Sequence, residues 1–335
     1  MKSLVLQICC AVTVAAAAPS PPAFAQDDPT PDQMVDAIQN VTGAHKGLRR
    51  NHGKGFCGEG AFKGNADGAA LAASPLFSGA ALPVMFRFSV AGPNPSIGDA
   101  ALAPRGIALQ VTLPGGALHD MVMLNAPVFA AATVQSFYER QLVSAPDPAT
   151  GKPDPDKMKA YFASHPDAKP LIDWLKSHNP PPSYAETPYF SIHAFKFTDA
   201  AGRSQWVKWR FEPRDGAKML TAEEMAAAPR DFLEEKLSER LKSGPVEWDM
   251  IVTLGESGDP TDNPTLLWPA GRREVKAGTL TLTKAGEAAA GTCEDIMFDP
   301  NLLSAGVEAS PDSILAYRSG AYAVSLGRRL QEKGQ

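Results

Sequence analysis

Long apolar runs, surplus positive charge and cysteine are all scarce in this 335-residue chain. After Leu4–Ala18 no segment is long and apolar enough to read as a membrane span. Lysine and arginine number 32 against 37 acidic residues, a formal charge of -5. Loss of Lys2 with a leader would take it to about -6, which argues against nucleic acid as a partner. Of four cysteines, Cys9 and Cys10 lie inside the first apolar run, leaving Cys57 and Cys293. These two either pair, in an oxidising compartment, or stand as separate buried thiols. There is no CxxC, no HExxH, no phosphate loop and no internal repeat, so the common zinc, dithiol and nucleotide sites are not signalled.

The N-terminus reads as an export signal. Lys2 supplies a positive start, Leu4 to Ala18 an apolar stretch, and Ala23-Phe24-Ala25 the small residues of a cleavage site. Residues 1–25 are therefore expected to be a signal peptide and 26–335 a single domain in the periplasm or outside the cell, monomeric or a small homo-oligomer.

Along the mature chain, Met34, Ile38 and Val41 fall at helical spacing in a polar arm. Strand-like runs follow at Leu82–Val90, Gly106–Leu113 and Met121–Phe129, separated by Gly/Pro clusters. Residues 131–143, 157–164 and 168–177 read as an inserted helical block. Strand signals return at 189–197 and 205–211 around the turn Asp199–Gly202, then at 247–254 and 278–283, with a charged helix predicted over 220–242. At the end, Ser310-Pro311-Asp312 predicts a helix start, with Ser310 as N-cap, and the helix runs to about Lys333. Arg318, Tyr322, Ser325 and Arg329 share one face of it, and Tyr317 lies on another.

Near the other end, Leu48-Arg49-Arg50-Asn51-His52-Gly53-Lys54-Gly55 sets several cations around one histidine, the residue that titrates closest to neutrality. The remaining histidines, His45, His119, His165 and His178, show no metal-ligand spacing, and His193 reads as a barrel-interior residue.

These stretches carry a resemblance. Residues Phe298 to Arg318, continuing to Tyr322, resemble the run into the proximal helix of haem catalases, with its S-P-D-x-x-L-x-x-R and a tyrosine four residues on. The His52 stretch is similar to that family's R-x-x-H-A-K-G, with Gly53 for alanine. Phe86 to Gly92 resembles its [IV]-R-F-S-T-V-A-G, one residue shorter, and Pro104-Arg105-Gly106 its P-R-G-F-A. The likeness covers nearly all of residues 45–332 and points to the small, exported, catalase-related peroxidase branch. It implies an α+β fold with a catalase-like antiparallel β-barrel core, helical insertions and a C-terminal proximal helix. The chain ends 13 residues after Tyr322, so the wrapping and C-terminal helical domains of full-length catalases are expected to be absent.

What the resemblance implies for the site follows residue by residue. Tyr322 would be the axial ligand of a haem b iron, backed by Arg318. His52 would be the acid–base group, oriented by Ser89. Arg49, Arg87 and Arg329 would hold the propionates, and Phe137 would stack near the ring. The family's distal asparagine has no ungapped counterpart: Leu124 falls at its position, and Asn125 could serve only if the strand shifts by one residue. Asn51, where catalases have an apolar residue, is either packing or a replacement for that amide. The implied activity is reduction of hydrogen peroxide or an organic hydroperoxide with oxidation of a small donor. Hydroperoxide rearrangement and haem-based sensing with little turnover are the alternatives.

Overall fold

The computed structural model describes residues 28–334. The predicted signal peptide lies outside the described residues.

Among the described residues, eight α-helices and ten strands follow in chain order. Helix α1 (Pro31–Asn40) leads into β1 (Gly55–Gly64), α2 (Ala66–Leu71), β2 (Ala81–Val90), β3 (Arg105–Thr112) and β4 (Leu118–Leu124). The helical block is α3 (Val134–Ser144), α4 (Pro155–Ser164) and α5 (Lys169–Ser177). Then come β5 (Tyr189–Phe190), β6 (Phe195–Thr198), β7 (Ser204–Pro213), α6 (Ala222–Ala227), α7 (Leu233–Leu241), β8 (Val246–Leu254), β9 (Glu274–Ala285), β10 (Val307–Ala309) and α8 (Ser313–Lys333).

All pairings are antiparallel, in the order β10-β6-β7-β5-β4-β3-β2-β1-β9-β8, and a β7–β8 ladder joins the ends of the main run. Eight strands thus close into a barrel, which removes most free edges. Strand alternation sends Phe86, Phe88, Leu109, Val111, Phe211, Trp248, Leu280 and Leu282 into a common buried core. Helix α1 packs on α8 and α3 through Met34, Ile38, Val134 and Ile314.

Several sequence expectations are corrected. Strand β1 was not predicted; its run GFCGEGAFKG carries four glycines, a residue type depleted in strands. The barrel needs at least one of them, because a Cβ on Gly60 would lie 1.9 Å from the Thr281 carbonyl oxygen. The run expected over 121–129 ends at Leu124, ahead of Pro127. The strand expected over 189–197 breaks at Ile192, whose φ is +52°, so that β5 and β6 share one edge of β7. The single helix expected over 220–242 is two, parted around Pro229. The N-cap of α8 is Asp312, not Ser310: its carboxylate accepts from the backbone of Ile314 and Leu315. The Asp199–Gly202 turn joins β6 to β7 as expected, with Gly202 at φ +78°.

Candidate active site

The alternation that buries Phe86 and Phe88 turns Arg87 and Ser89 to the outside of the barrel. Register then lines up Arg87, Ala108 and Val122 in one row, and Ser89, Gly106 and Leu124 in the next. Both rows border a cavity between the barrel wall, α8, α1 and the start of α3. Small residues at Gly106 and Ala108 keep this wall flat. A Cβ on Gly106 would sit 2.7 Å from Ser89 Oγ and 3.1 Å from the His52 ring.

His52 enters from the loop before β1. Its φ of +55° is a left-handed conformation that costs energy for a non-glycine residue. Asn51 holds it there: its Oδ1 accepts from the backbone N–H of His52 and of Gly92, both at 3.0 Å. The imidazole Nδ1 lies 2.9 Å from Ser89 Oγ, leaving Nε2 uncommitted. Burial, followed by the charges of Arg87, Arg318 and Arg49, lowers the His52 pKa to about 3. The ring is accessible through the cavity it borders, yet deep within the protein, so the neutral form dominates.

The helix side of the cavity is built by α8. Tyr317, Arg318, Ala321, Tyr322, Ser325 and Arg329 border it. Arg318 donates to Tyr322 Oη through Nε (3.1 Å) and Nη2, and its Nη1 donates to His193 Nε2 at 3.0 Å. Arginine has no acceptor, so Nε2 of His193 must accept, and its proton sits on Nδ1. That proton goes to Asp312 Oδ2 at 2.7 Å. Burial first, partly offset by the Asp312 bond, lowers the His193 pKa to about 4. Asp312 therefore caps α8 with one oxygen and fixes His193 with the other.

His193 and Asp312 are site residues that the sequence reading missed. From sequence His193 reads as a barrel-interior residue and Asp312 as part of a helix start. The S-P-D spacing was the available signal.

At the third side, Arg49, Arg87 and Arg329 converge. Arg49 donates to the carbonyls of Cys293 (3.2 Å), Glu294 (3.4 Å) and Ile296 (2.8 Å), and Arg329 to that of Glu294 (2.6 Å). The Nε atoms of all three arginines are buried without a hydrogen-bond partner. Burial, then Arg87 and Arg329, pushes the Arg49 pKa down to about 9; burial lowers Arg87 to about 10. Glu294 is the carboxylate that acts on all three. Asp295, which also acts on Arg329, is paired with Lys333, so three guanidiniums facing Glu294 leave about two positive charges uncompensated, a demand for a dianion.

The other predicted residues divide. Phe137 borders the cavity, packed on Phe129 at 5.2 Å between ring centroids. Asn125 does not border it. Its Oδ1 accepts from the Arg105 backbone at 2.7 Å and its amide reaches Thr187 at 3.4 Å, while Leu124 faces the cavity. The strand has not shifted, so Asn125 is corrected from a catalytic candidate to a loop tie. Asn51 clamps two backbone N–H groups through Oδ1 and also borders the cavity, where its side-chain NH2 makes no hydrogen bond among the described residues. Lys54 turns away to Asp99 at 2.7 Å and to Asp231. Cys57 and Cys293 are disulfide-bonded, with Cα atoms 5.5 Å apart.

A family model described as Catalase matches residues 31–333. The chain belongs to the catalase family. It is 48% identical over 306 residues to a protein named catalase-related peroxidase from Synechococcus elongatus, covering 91% of this chain and 90% of that one. A second protein of that name, from Mycolicibacterium paratuberculosis, is 32% identical over 301 residues, covering 90% and 95%. Among solved structures, a fungal catalase superposes with a TM-score of 0.76 at 22% identity, over 84% of this chain and 59% of that one. Catalases are haem proteins, and this member's cavity fits the group on its own evidence. The surplus of about two positive charges matches two propionates. The flat wall over Gly106 and Ala108 suits a planar ring, and Tyr322 brings a phenol oxygen to the cavity.

Proposed function

We propose that this chain is a haem b peroxidase, which reduces hydrogen peroxide or a small organic hydroperoxide while oxidising a small reducing donor, with weak catalase turnover. The observation that carries the reading is the pairing of two preset groups on one cavity. These are a neutral His52 oriented by Ser89, and a Tyr322 hydroxyl held by Arg318. The name shared by the two relatives above supports the same class.

When bound, haem supplies the iron Lewis acid and redox centre at which the O–O bond is cleaved. The protein's part is proton handling and placement. With Nδ1–H donating to Ser89 Oγ, His52 presents the lone pair of Nε2 to the cavity and takes the proton of an arriving peroxide. Because its imidazolium is a strong acid here, it returns that proton readily to the departing oxygen. Arg49, Arg87 and Arg329 hold the propionates through charge-assisted bonds. Arg318 fixes the Tyr322 oxygen, and His193 and Asp312 fix Arg318. At the position of the family's distal asparagine Leu124 brings no hydrogen-bonding group, so oxidation of a second peroxide lacks the help an amide there would give. That favours donor oxidation over oxygen evolution.

Export as a single domain is part of this proposal. The leader-like N-terminus and the Cys57–Cys293 bond both fit an oxidising compartment.

The test compares oxygen evolution from peroxide with oxidation of a small phenol by the purified haem protein. Donor oxidation is expected to dominate, and vigorous oxygen evolution without it would overturn the preference. Tyr322→Phe is expected to abolish the charge-transfer bands of phenolate-bound ferric haem. Tyr317→Phe should keep them, since the Tyr317 hydroxyl donates to the Pro29 carbonyl at 2.7 Å.

A further inference from the structure

A second crevice lies beyond Gly55 from the arginine end of the cavity. Its inner wall is Phe56, Tyr184 and Leu233, and its rim carries Asp231, Glu234, Glu235 and Glu287. Lys54 pairs with Asp99 and Asp231, but Glu234, Glu235 and Glu287 have no cationic partner among the described residues. The first turn of α7 accounts for acids at 234 and 235 through its helix dipole. It does not account for Glu287, which comes from the chain after β9.

An independent observation points to a ligand. Tyr184 is 2% exposed, borders this crevice, and its hydroxyl makes no hydrogen bond among the described residues. Its ring is packed against Phe56 at 5.5 Å and Phe88 at 5.1 Å. That hydroxyl is not among the polar atoms fully closed off from solvent, so it opens on the crevice, where a ligand's polar atom can meet it.

The crevice also adjoins the haem cavity. Gly55 lines it, and a Cβ on Gly55 would sit 2.9 Å from the Arg87 guanidinium, which borders the haem cavity. One glycine backbone separates the two. A metal ion is a poor occupant. Among the described residues, the one cluster whose ligand atoms lie within 4.8 Å of one another is Cys57, Cys293 and Glu294, and both sulfurs are spent in the disulfide.

We propose that this crevice binds the reducing donor, and that the donor is a small aromatic carrying a positive charge. The cation meets the rim carboxylates, the ring lies against Phe56, and the oxidisable hydroxyl or amine reaches Tyr184 Oη, on the side of the Gly55–Arg87 wall. The proposal rests on the peroxidase reading. Two donor molecules each give up one electron and one proton, and hydrogen peroxide takes both pairs to become two waters.

The test is equilibrium binding to the resting haem protein without peroxide, by calorimetry at low salt. The probes are (4-hydroxyphenyl)trimethylammonium and its neutral isostere 4-tert-butylphenol. The cationic probe is expected to bind about tenfold tighter, the size of two partly exposed ion pairs. The advantage should shrink in Glu234→Gln/Glu235→Gln and with added salt, and Tyr184→Phe should weaken both probes. An unchanged Soret band would show that the variants still fold and hold haem. Equal affinity for the two probes, or an advantage that survives the double substitution, would overturn the site. Selective binding without donor oxidation on adding peroxide would uphold the site and sink the peroxidase reading instead.

Discussion

A general base inside a positively charged cavity is useful only if it stays neutral, and His52 does so by burial before any neighbour acts on it. With its pKa lowered to about 3, it accepts a proton throughout the range where an ordinary histidine would already be charged. The rate of reaction with peroxide is therefore expected to be flat from pH 8 to about 5 in stopped-flow measurements. An acid limb centred near 6.5 would contradict this environment. Asp312 offers a second test, because its two oxygens do separate work. Asp312→Ala loses the cap and should cost about 1–2 kcal/mol. Asp312→Asn keeps an N-cap oxygen and most of that stability, yet can present an amide where His193 needs an acceptor. A shifted charge-transfer band at near-native melting temperature would separate the two roles. Residues that sit in contiguous strings, such as Arg49 with His52, or Arg318 with Tyr322, were readable because each string carries its own spacing. The His193–Asp312 pair was not, since 119 residues separate the partners and only the fold joins them. Asn125 shows the reverse failure. Its residue type fitted the chemistry, but one step along a strand end turned it to Arg105 and Thr187.

Among the elements, β1 is the instructive case. Alternating apolar runs made β2, β3, β7 and β8 visible to within a few residues, but a glycine-rich strand has no such pattern. Its glycines answer to neighbours rather than to the chain: Gly60 sits at a register irregularity against β9, and a side chain there would enter the Thr281 carbonyl. Gly60→Ala is expected to destabilise by roughly 3 kcal/mol or more, as a severe backbone clash does. A denaturant midpoint within error of the parent would show that β1 can slide. The α6–α7 break and the true start of α8 were both legible in principle. Pro229 ends the first, and for the second Asp312 follows Pro311 as the better acceptor of the first free N–H groups. The face of α8 carrying Arg318, Tyr322, Ser325 and Arg329 was read correctly because its period survives whatever the cap, but Tyr317, placed on another face, borders the same cavity.

For the whole molecule, the buried ionisable groups set how folding responds to acid. His52, His119 and His193 have pKa values lowered by burial to about 3, 4 and 4. The unfolded chain takes up three protons below pH 6.5 that the folded protein refuses, so these groups cost stability as pH falls. Asp120 works against them, since burial raises its pKa to about 7 and the folded state keeps a proton that the unfolded chain loses above pH 4. The balance is about two protons, so stability should fall by roughly 2–3 kcal/mol per pH unit between 6 and 4. Urea midpoints across that window check it, and a flat series would mean that the histidines protonate in place. The disulfide acts at the same scale. Replacing Cys57 and Cys293 by serine should cost about 3–5 kcal/mol through the long loop they close. It should also loosen haem, because the carbonyls of Cys293 and Glu294 brace Arg49 and Arg329.

That bond has a further consequence. It joins residues 236 positions apart, so nearly the whole barrel lies inside one covalent ring. A protease that nicks the ring once leaves a single molecule, its two arms still tied at the haem end. The exposed Lys218–Met219 stretch between β7 and α6 is a place for such a cut. The nicked protein should migrate as one species without reductant and as two fragments with it, and it can keep its haem until the bond is reduced.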